Sequence, residues 1–154
     1  MKEIGAFTMD RLEMREKLKE KLAAKRFEHS LGVEYTAGTM AFMYGIDYEK
    51  ALIAGLLHDC AKYVSNDKKI SKCEKRGIPI SECEYKIVYI ADYIEPNRTE
   101  LPEMDIIRQE AYSDLDQCLL HILHNSVHYL CKKGAAVDPI TNKTYEYYSH
   151  LRQE

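Results

Sequence analysis

An adjacent histidine and aspartate, His58 and Asp59, directly follow the apolar run ALIAGLL at positions 51–57. A helix that is apolar on every face is normally a buried one, so we expect the pair to end a buried helix. Burying an ionisable group is costly unless a metal or another charge compensates it. Imidazole and carboxylate together suit iron, manganese, zinc or nickel. The pair therefore indicates a metal site, with a hydrogen-bonded core pair as the alternative.

Two more residues have the chemistry to complete such a site. His29 lies in the first turn of a predicted helix, and Asp92 is an acidic residue in an otherwise apolar stretch. With His58 and Asp59 they would give one metal ion most of a protein shell, leaving positions for water and substrate oxygens. A lone histidine such as His29 is otherwise more often structural than a ligand.

Three basic residues lie near these candidates and could contact a phosphate group. Lys62 follows His58 by one helical turn, and Arg26 precedes His29 by one turn, so each can share a helix face with its neighbour. Arg98 follows the segment that contains the aspartate. Each of the three could instead form a salt bridge within the protein.

A separate group of histidines, His121, His124 and His128, is spaced by three and four residues and therefore shares one helix face. Such a face can bind a metal, but no cysteine or carboxylate group elsewhere in the sequence clearly completes a site. We interpret these histidines as packing and surface residues.

The elements that would position the candidate residues are helical throughout. Asp10 and Asp47 can cap helices, and Gly45 and Gly134 can end them. The periodicity predicts helices at about residues 11–22, 26–43, 48–57, 67–75, 85–94, 105–131 and 141–151, with a turn at 77–79. No strand-like alternation is long enough to build a sheet. We expect an all-α fold, a compact helical bundle that forms a single domain over residues 1–154.

Composition excludes several classes of protein. The 154 residues carry a net charge of −3 with scattered basic residues, so we expect no nucleic-acid partner. No apolar run approaches the roughly 20 residues of a membrane span, and the charged N-terminus does not resemble a signal peptide. The five cysteines are odd in number and lack paired CxxC spacing, which indicates reduced, mostly buried thiols. These features predict a cytoplasmic protein without a membrane partner.

Three segments carry a family resemblance: RFEHSLGV at 26–33, AGLLHDCAK at 54–62 and IADYIEPNR at 90–98. In this order they resemble the signatures of the HD superfamily of metal-dependent phosphohydrolases. The match is with its YqeK-like branch of symmetrical bis(5'-nucleosyl)-tetraphosphatases, and it runs from about residue 12 to the C-terminus. The resemblance implies an HD-domain bundle that hydrolyses diadenosine tetraphosphate to two ADP.

The resemblance also implies roles for the candidate residues. The metal ligands would be His29, His58, Asp59 and Asp92, with Asp59 as a central ligand and, together with Lys62, a catalytic residue. The phosphate-binding residues would be Arg26, Lys62 and Arg98. We expect a divalent metal, iron first, with manganese, cobalt, nickel, zinc or magnesium as alternatives.

One feature departs from the family pattern. The family carries two further histidines between the His-Asp motif and the Ile-Ala-Asp motif, and these help to hold a second metal ion. This chain has no histidine in that interval, as if an internal block were missing at about Glu84 and Tyr85. We therefore expect a one-metal ligand set.

Three functions remain open. The first is hydrolysis of a nucleotide polyphosphate, with a homodimer as one possible assembly. The second is another HD activity, that of a nucleotidase or phosphodiesterase. The third is a degenerate HD domain that senses nucleotides or scaffolds a partner without turnover, and the absent histidines are the feature that favours it.

Overall fold

A computed structural model describes residues 10–60 and 81–151 of the chain. These residues form helices and no strand, which confirms the predicted all-α class. The helices are α1 (Arg11–Lys21), α2 (Ala24–Met43), α3 (Tyr48–Leu57), α4 (Glu82–Ile94), α5 (Met104–Ala111), α6 (Leu115–Lys132) and α7 (Pro139–Leu151). The short helix predicted at 67–75, the turn at 77–79 and Lys62 lie outside the described residues.

Side-chain caps set most helix starts. Asp10 accepts a hydrogen bond from the backbone N–H of Glu13, and Asp47 accepts one from that of Lys50, as their positions in the sequence predicted. At α4, Ser81 and Glu84 form a capping box, in which each side chain accepts from the other residue's backbone N–H. This helix continues without a break through the Glu84–Tyr85 junction.

The prediction of one long helix over residues 105–131 is wrong, because two helices occupy that stretch. α5 ends at Ala111 with Tyr112 as its C-cap, and Asp114 starts α6 by accepting hydrogen bonds from the backbone N–H groups of Asp116 and Gln117. Aspartate competes for the backbone in this way and favours a helix start over a helix interior. The predicted stop at Gly134 is confirmed, since its φ of +65° is one that glycine adopts without strain.

The core lies between α2, α4, α5 and α6. Its fully buried side chains come from one face of each of these helices: Val33, Ala37, Met40, Ala41, Ile87, Ile90, Ala91, Ile107, Ala111, Cys118 and Ile122. α1 adds a smaller cluster, in which Met14 and Leu18 pack against Leu56. Burial of these side chains provides the main stabilisation of the bundle.

The α2 and α3 helices cross unusually closely at Gly55. A Cβ on this glycine would stand 2.8 Å from the backbone oxygen of Val33 and 2.9 Å from the Cα of Glu34. Only glycine therefore permits this approach without a shift of the helices. The crossing brings the start of α2 close to the end of α3, which carry His29 and His58.

α3 is not buried on every face, contrary to the prediction from its apolar run. Leu52, Gly55 and Leu56 are buried, but Ala54 is exposed and Ile53 is partly exposed. The helix therefore has one buried side and one partly exposed side. One side packs on α2, and the other lines a groove that α3 forms with α4.

No helix in the described part of the chain is both long and apolar enough to span a bilayer. The predicted single domain over residues 1–154 stays a prediction. The prediction that most cysteines are buried is wrong for the four that are described. Cys118 is buried, Cys83 is partly buried, and Cys60 and Cys131 are exposed, all four as free thiols.

Candidate metal centre

Three helices bring the candidate ligands together. His29 lies in the second turn of α2, His58 caps the C-terminal end of α3, and Asp92 lies in the last turn of α4. The close crossing at Gly55 brings the two histidines together, and the packing of α4 on α2 adds the aspartate. Their rings and carboxylate face one another at the end of the bundle.

The distances between the three side chains are those of atoms that share one centre. His29 Nε2 lies 3.3 Å from His58 Nε2 and 3.0 Å from Asp92 Oδ1, and His58 Nε2 lies 3.7 Å from the same oxygen. Among the described residues, this trio is the group whose candidate ligand atoms all lie within 4.8 Å of one another. It is a possible site for a divalent metal.

The Nδ1 atoms of His29 and His58 each contact an oxygen outside the trio. These contacts show whether the two residues fit a metal ion. His29 Nδ1 lies 3.1 Å from Oε1 of Glu95, and His58 Nδ1 lies 2.8 Å from the backbone oxygen of Gly55. Metal-binding histidines typically donate the other ring N–H to a carboxylate or a carbonyl in this way. Both Nε2 atoms are thereby left facing Asp92, so the donor set fits a divalent ion.

Asp59, the fourth predicted ligand, lies at the edge of this group. Its Oδ2 is 3.4 Å from His58 Nε2 and 2.7 Å from the Nη2 of Arg26. Arg98 forms a similar contact with Asp92, with its Nη2 3.2 Å from Oδ1. Both predicted phosphate-binding arginines are therefore ion-paired with the two predicted carboxylate ligands.

The sulfur next to the site is held in its thiol form. Partial burial and the neighbouring charge of Asp59 raise the pKa of Cys60 above its usual range. Cys60 therefore carries its proton at neutral pH. The donor atoms that the trio brings together are ring nitrogens and a carboxylate oxygen.

A largely apolar groove of about 690 Å³ opens beside the trio, between α3 and α4, with His58 and Asp92 in its wall. Tyr85 and Tyr89 line it further along α4 and are 69% and 42% exposed. The groove is large enough for a ligand of nucleotide size, and His58 and Asp92 connect it to the candidate metal centre.

Sequence reasoning missed Glu95, whose side chain is almost fully buried behind His29. A carboxylate just before Pro96, at the end of an apolar helix, was the available signal. The structure also supplies carboxylates for the separate histidine group. His121 Nδ1 lies 2.9 Å from Oε2 of Glu110, and its Nε2 lies 3.1 Å from Oε2 of Glu103. The sequence interpretation therefore overlooked an ion-pair cluster at this histidine.

Comparison with known proteins identifies similar sequences over most of the chain. The HD domain family model matches residues 26–87. The chain is 30% identical to the symmetrical bis(5'-nucleosyl)-tetraphosphatase of Bacillus subtilis (strain 168), over 90% of this chain and 97% of the relative. It is 32% identical to the protein of the same name from Staphylococcus aureus (strain NCTC 8325 / PS 47), over 86% and 91% of the two chains.

A solved structure is also similar. The crystal structure of a predicted HD superfamily hydrolase involved in NAD metabolism, from Clostridium acetobutylicum, matches with a TM-score of 0.74 and 29% identity. The match covers 93% of this chain and 98% of that chain.

The alignments also bear on the interval that lacks histidines. The alignment with the B. subtilis protein is 182 residues long although it covers only 90% of this 154-residue chain. The relative therefore has about 40 residues within the aligned region for which this chain has no counterpart. This difference agrees with the predicted internal block that this chain lacks, and the position of the block near Glu84 and Tyr85 stays a prediction.

Proposed function

Since the chain belongs to the HD domain proteins, in the family of the symmetrical bis(5'-nucleosyl)-tetraphosphatases, we propose that it is a metal-dependent hydrolase of nucleotide phosphoanhydrides. Its preferred reaction is the symmetrical cleavage of diadenosine tetraphosphate to two ADP. The observation that carries this proposal is the approach of His29 Nε2, His58 Nε2 and Asp92 Oδ1 to within 3.0–3.7 Å of one another.

The residues of the site have separate tasks in this proposal. His29, His58 and Asp92 hold one divalent ion, with Asp59 beside them as a fourth ligand, and we expect iron as the native metal. When bound, such an ion would act as a Lewis acid toward the phosphoryl oxygen and would lower the pKa of a water molecule.

The cationic side chains bind the polyphosphate. Arg26 and Arg98 contact Asp59 and Asp92, and both arginine side chains are 43% exposed, so a phosphate group in solvent can reach them. A guanidinium binds phosphate oxygens through several N–H donors at once. Lys62 has the same role in the proposal, on the strength of its sequence position alone.

The apolar groove supports a nucleotide over an inorganic substrate. It extends from the trio along α4, so a polyphosphate bound at the metal centre would leave its nucleoside close to this surface. The exposed rings of Tyr85 and Tyr89 offer faces on which a base can stack. Stacking of this kind does not discriminate between bases, because every base has a π-face.

The test is product analysis after metal loading. The protein is incubated with Fe²⁺ or Mn²⁺ and diadenosine tetraphosphate, and nucleotides are separated by chromatography. ADP as the sole nucleotide product supports the proposal, whereas ATP with AMP would indicate asymmetrical cleavage. His58→Ala should abolish the reaction. His124→Ala, which changes a histidine of α6 outside the trio, should leave the reaction unchanged. ADP release that survives His58→Ala would overturn the assignment.

The other two functions give different results in the same experiment. A nucleotidase or phosphodiesterase would turn over mononucleotides or cyclic nucleotides in a substrate panel and leave diadenosine tetraphosphate intact. A degenerate domain would bind Mn²⁺ or nucleotide in a calorimeter and release no product over hours. The homodimer and the cytoplasmic location stay predictions, and light scattering from the purified protein tests the first.

A further inference from the structure

We propose that Glu95 is a positioning residue of the metal centre, which holds the ring of His29 so that its Nε2 faces the ion. This inference rests on the proposed metal site and adds a residue to it. It starts from a contact of 3.1 Å between Oε1 of Glu95 and Nδ1 of His29, the ring nitrogen opposite the one that faces His58 and Asp92.

The proton on His29 follows from the chemistry of this contact. An ionised carboxylate can only accept hydrogen bonds, so Nδ1 of His29 must be the donor toward Glu95. In the neutral imidazole the lone pair then lies on Nε2, which is the atom directed at the centre of the trio. Glu95 thereby selects the tautomer that can bind a metal.

The carboxylate of Glu95 is held in one place by its surroundings. It is buried, with 2% of the side chain exposed, and its Oε2 accepts a hydrogen bond of 2.8 Å from the backbone N–H of Asn97. With one oxygen fixed by the backbone and the other against His29, the group has little freedom to rotate away. A buried carboxylate held by two donors is a rigid acceptor.

A glycine on α2 makes room for this carboxylate. A Cβ at Gly32 would stand 2.3 Å from Oε2 of Glu95 and 3.1 Å from its Cδ. Gly32 lies one turn after His29 on the same helix, so the helix that carries the ligand also carries the space for its partner. A side chain at position 32 would therefore have to displace this carboxylate.

The backbone that carries Glu95 is fixed from a third helix. Arg108 of α5 donates hydrogen bonds to the backbone oxygens of Ile94 at 3.0 Å and of Glu95 and Arg98 at 3.1 Å each. One guanidinium therefore holds the turn that follows α4, which contains both Glu95 and Arg98. The position of the His29 ring is in this way coupled to the packing of α5.

The experiment measures Mn²⁺ binding to metal-free protein by calorimetry, without any turnover. Glu95→Ala should weaken Mn²⁺ binding by roughly 10–100-fold, the usual effect of removing such a partner. Glu95→Gln should lose less, because its one oxygen can still accept from His29 although it can no longer also serve Asn97. Gly32→Ala should weaken binding as Glu95→Ala does, since it displaces the same carboxylate.

Gly38→Ala is the matched control. It adds the same methyl group to the same helix, where its Cβ would stand 2.6 Å from Cδ2 of Leu52, away from the trio. It should lower the unfolding temperature without weakening Mn²⁺ binding more than about twofold. Unfolding temperatures of all four variants separate loss of the site from loss of the fold, and the near-isosteric Glu95→Gln serves if Glu95→Ala does not fold.

Two results would overturn the inference. One is wild-type Mn²⁺ affinity in a folded Glu95→Ala or Gly32→Ala variant. The other is an equal loss of affinity in Gly32→Ala and Gly38→Ala, which would assign the effect to general destabilisation of α2. A wild-type protein that binds no Mn²⁺ and no Fe²⁺ would instead overturn the proposed metal site itself, so the two failures are distinct.

Discussion

The Glu34 carboxylate on α2 is fully buried, and two arginines of α1 bind it. Arg15 forms a bidentate pair, with Nε 2.8 Å from one oxygen and Nη2 2.8 Å from the other, and Arg11 contacts the carboxylate at 2.7 Å. Hydrogen bonds from both guanidinium groups to this carboxylate raise the pKa of each arginine. We expect Arg15→Ala to be strongly destabilising, because it removes one of the two cations that compensate this buried carboxylate.

The magnitude follows from what the substitution leaves behind. Breaking a buried ion pair by removing one partner costs about 3–5 kcal/mol, because a buried charge loses its compensation. Arg11 still contacts Glu34 after the change, which places the loss near the lower limit, at about 3 kcal/mol. For a protein of this size that is a fall of roughly 6–12 °C in the unfolding temperature.

Lys17→Ala is the matched control, since it removes another ion pair from α1. Lys17 contacts Glu13 at 3.0 Å, and half of each side chain is exposed. Exposed pairs of this spacing contribute about 0.3–0.5 kcal/mol. Urea unfolding followed by circular dichroism gives both free energies. Losses for Arg15→Ala and Lys17→Ala that agree within about 0.5 kcal/mol would refute the claim that the buried pair anchors α1.

Two other predictions concern groups away from the metal centre. Burial lowers the pKa of His121, but its hydrogen bonds to Glu103 and Glu110 outweigh this and raise it above the ordinary 6.5. The resulting stabilisation is complete below pH 6.5 and is lost as pH rises through the raised pKa. His121→Ala should therefore flatten the dependence of unfolding temperature on pH above 6.5, and an unchanged slope would contradict this. Burial also raises the pKa of Cys118 to about 12. Iodoacetamide at pH 8 should therefore label the exposed Cys131 within minutes, and the buried Cys118 only at the rate of unfolding. Similar labelling rates for the two cysteines would contradict this prediction.

Most of the fold could be predicted because its signals are local. The starts of α1 and α3 follow from Asp10 and Asp47, whose side chains accept backbone hydrogen bonds in the structure as expected. The break between α5 and α6 has a signal of the same kind at Asp114, but the apolar periodicity continues across it and hid the cap. The exposed side of α3 had no local signal, because which helices cover an apolar face depends on tertiary packing.

The candidate site also contains residues that the sequence predicted and one residue that it did not. The family motifs predicted His29, His58 and Asp92, and the family resemblance itself is confirmed by the comparisons with relatives. Glu95 was quoted within a motif but not selected. Its contact with His29 spans 66 positions of the sequence and depends on the absence of a side chain at Gly32. Spacing within one segment carries no information on such a contact.

The two arginines illustrate why a salt bridge and a phosphate contact are not competing roles here. From the sequence, Arg26 and Arg98 could form either, and in the structure each places one guanidinium nitrogen against a carboxylate, that of Asp59 or Asp92. A guanidinium has five N–H donors, so one ion pair leaves it able to bind a phosphate oxygen as well. Under the proposed function, the carboxylates would also hold both cations close to the trio before a polyphosphate binds, which would reduce the entropy lost on binding. An ion pair at the edge of the trio is therefore compatible with the substrate-binding role proposed for these arginines.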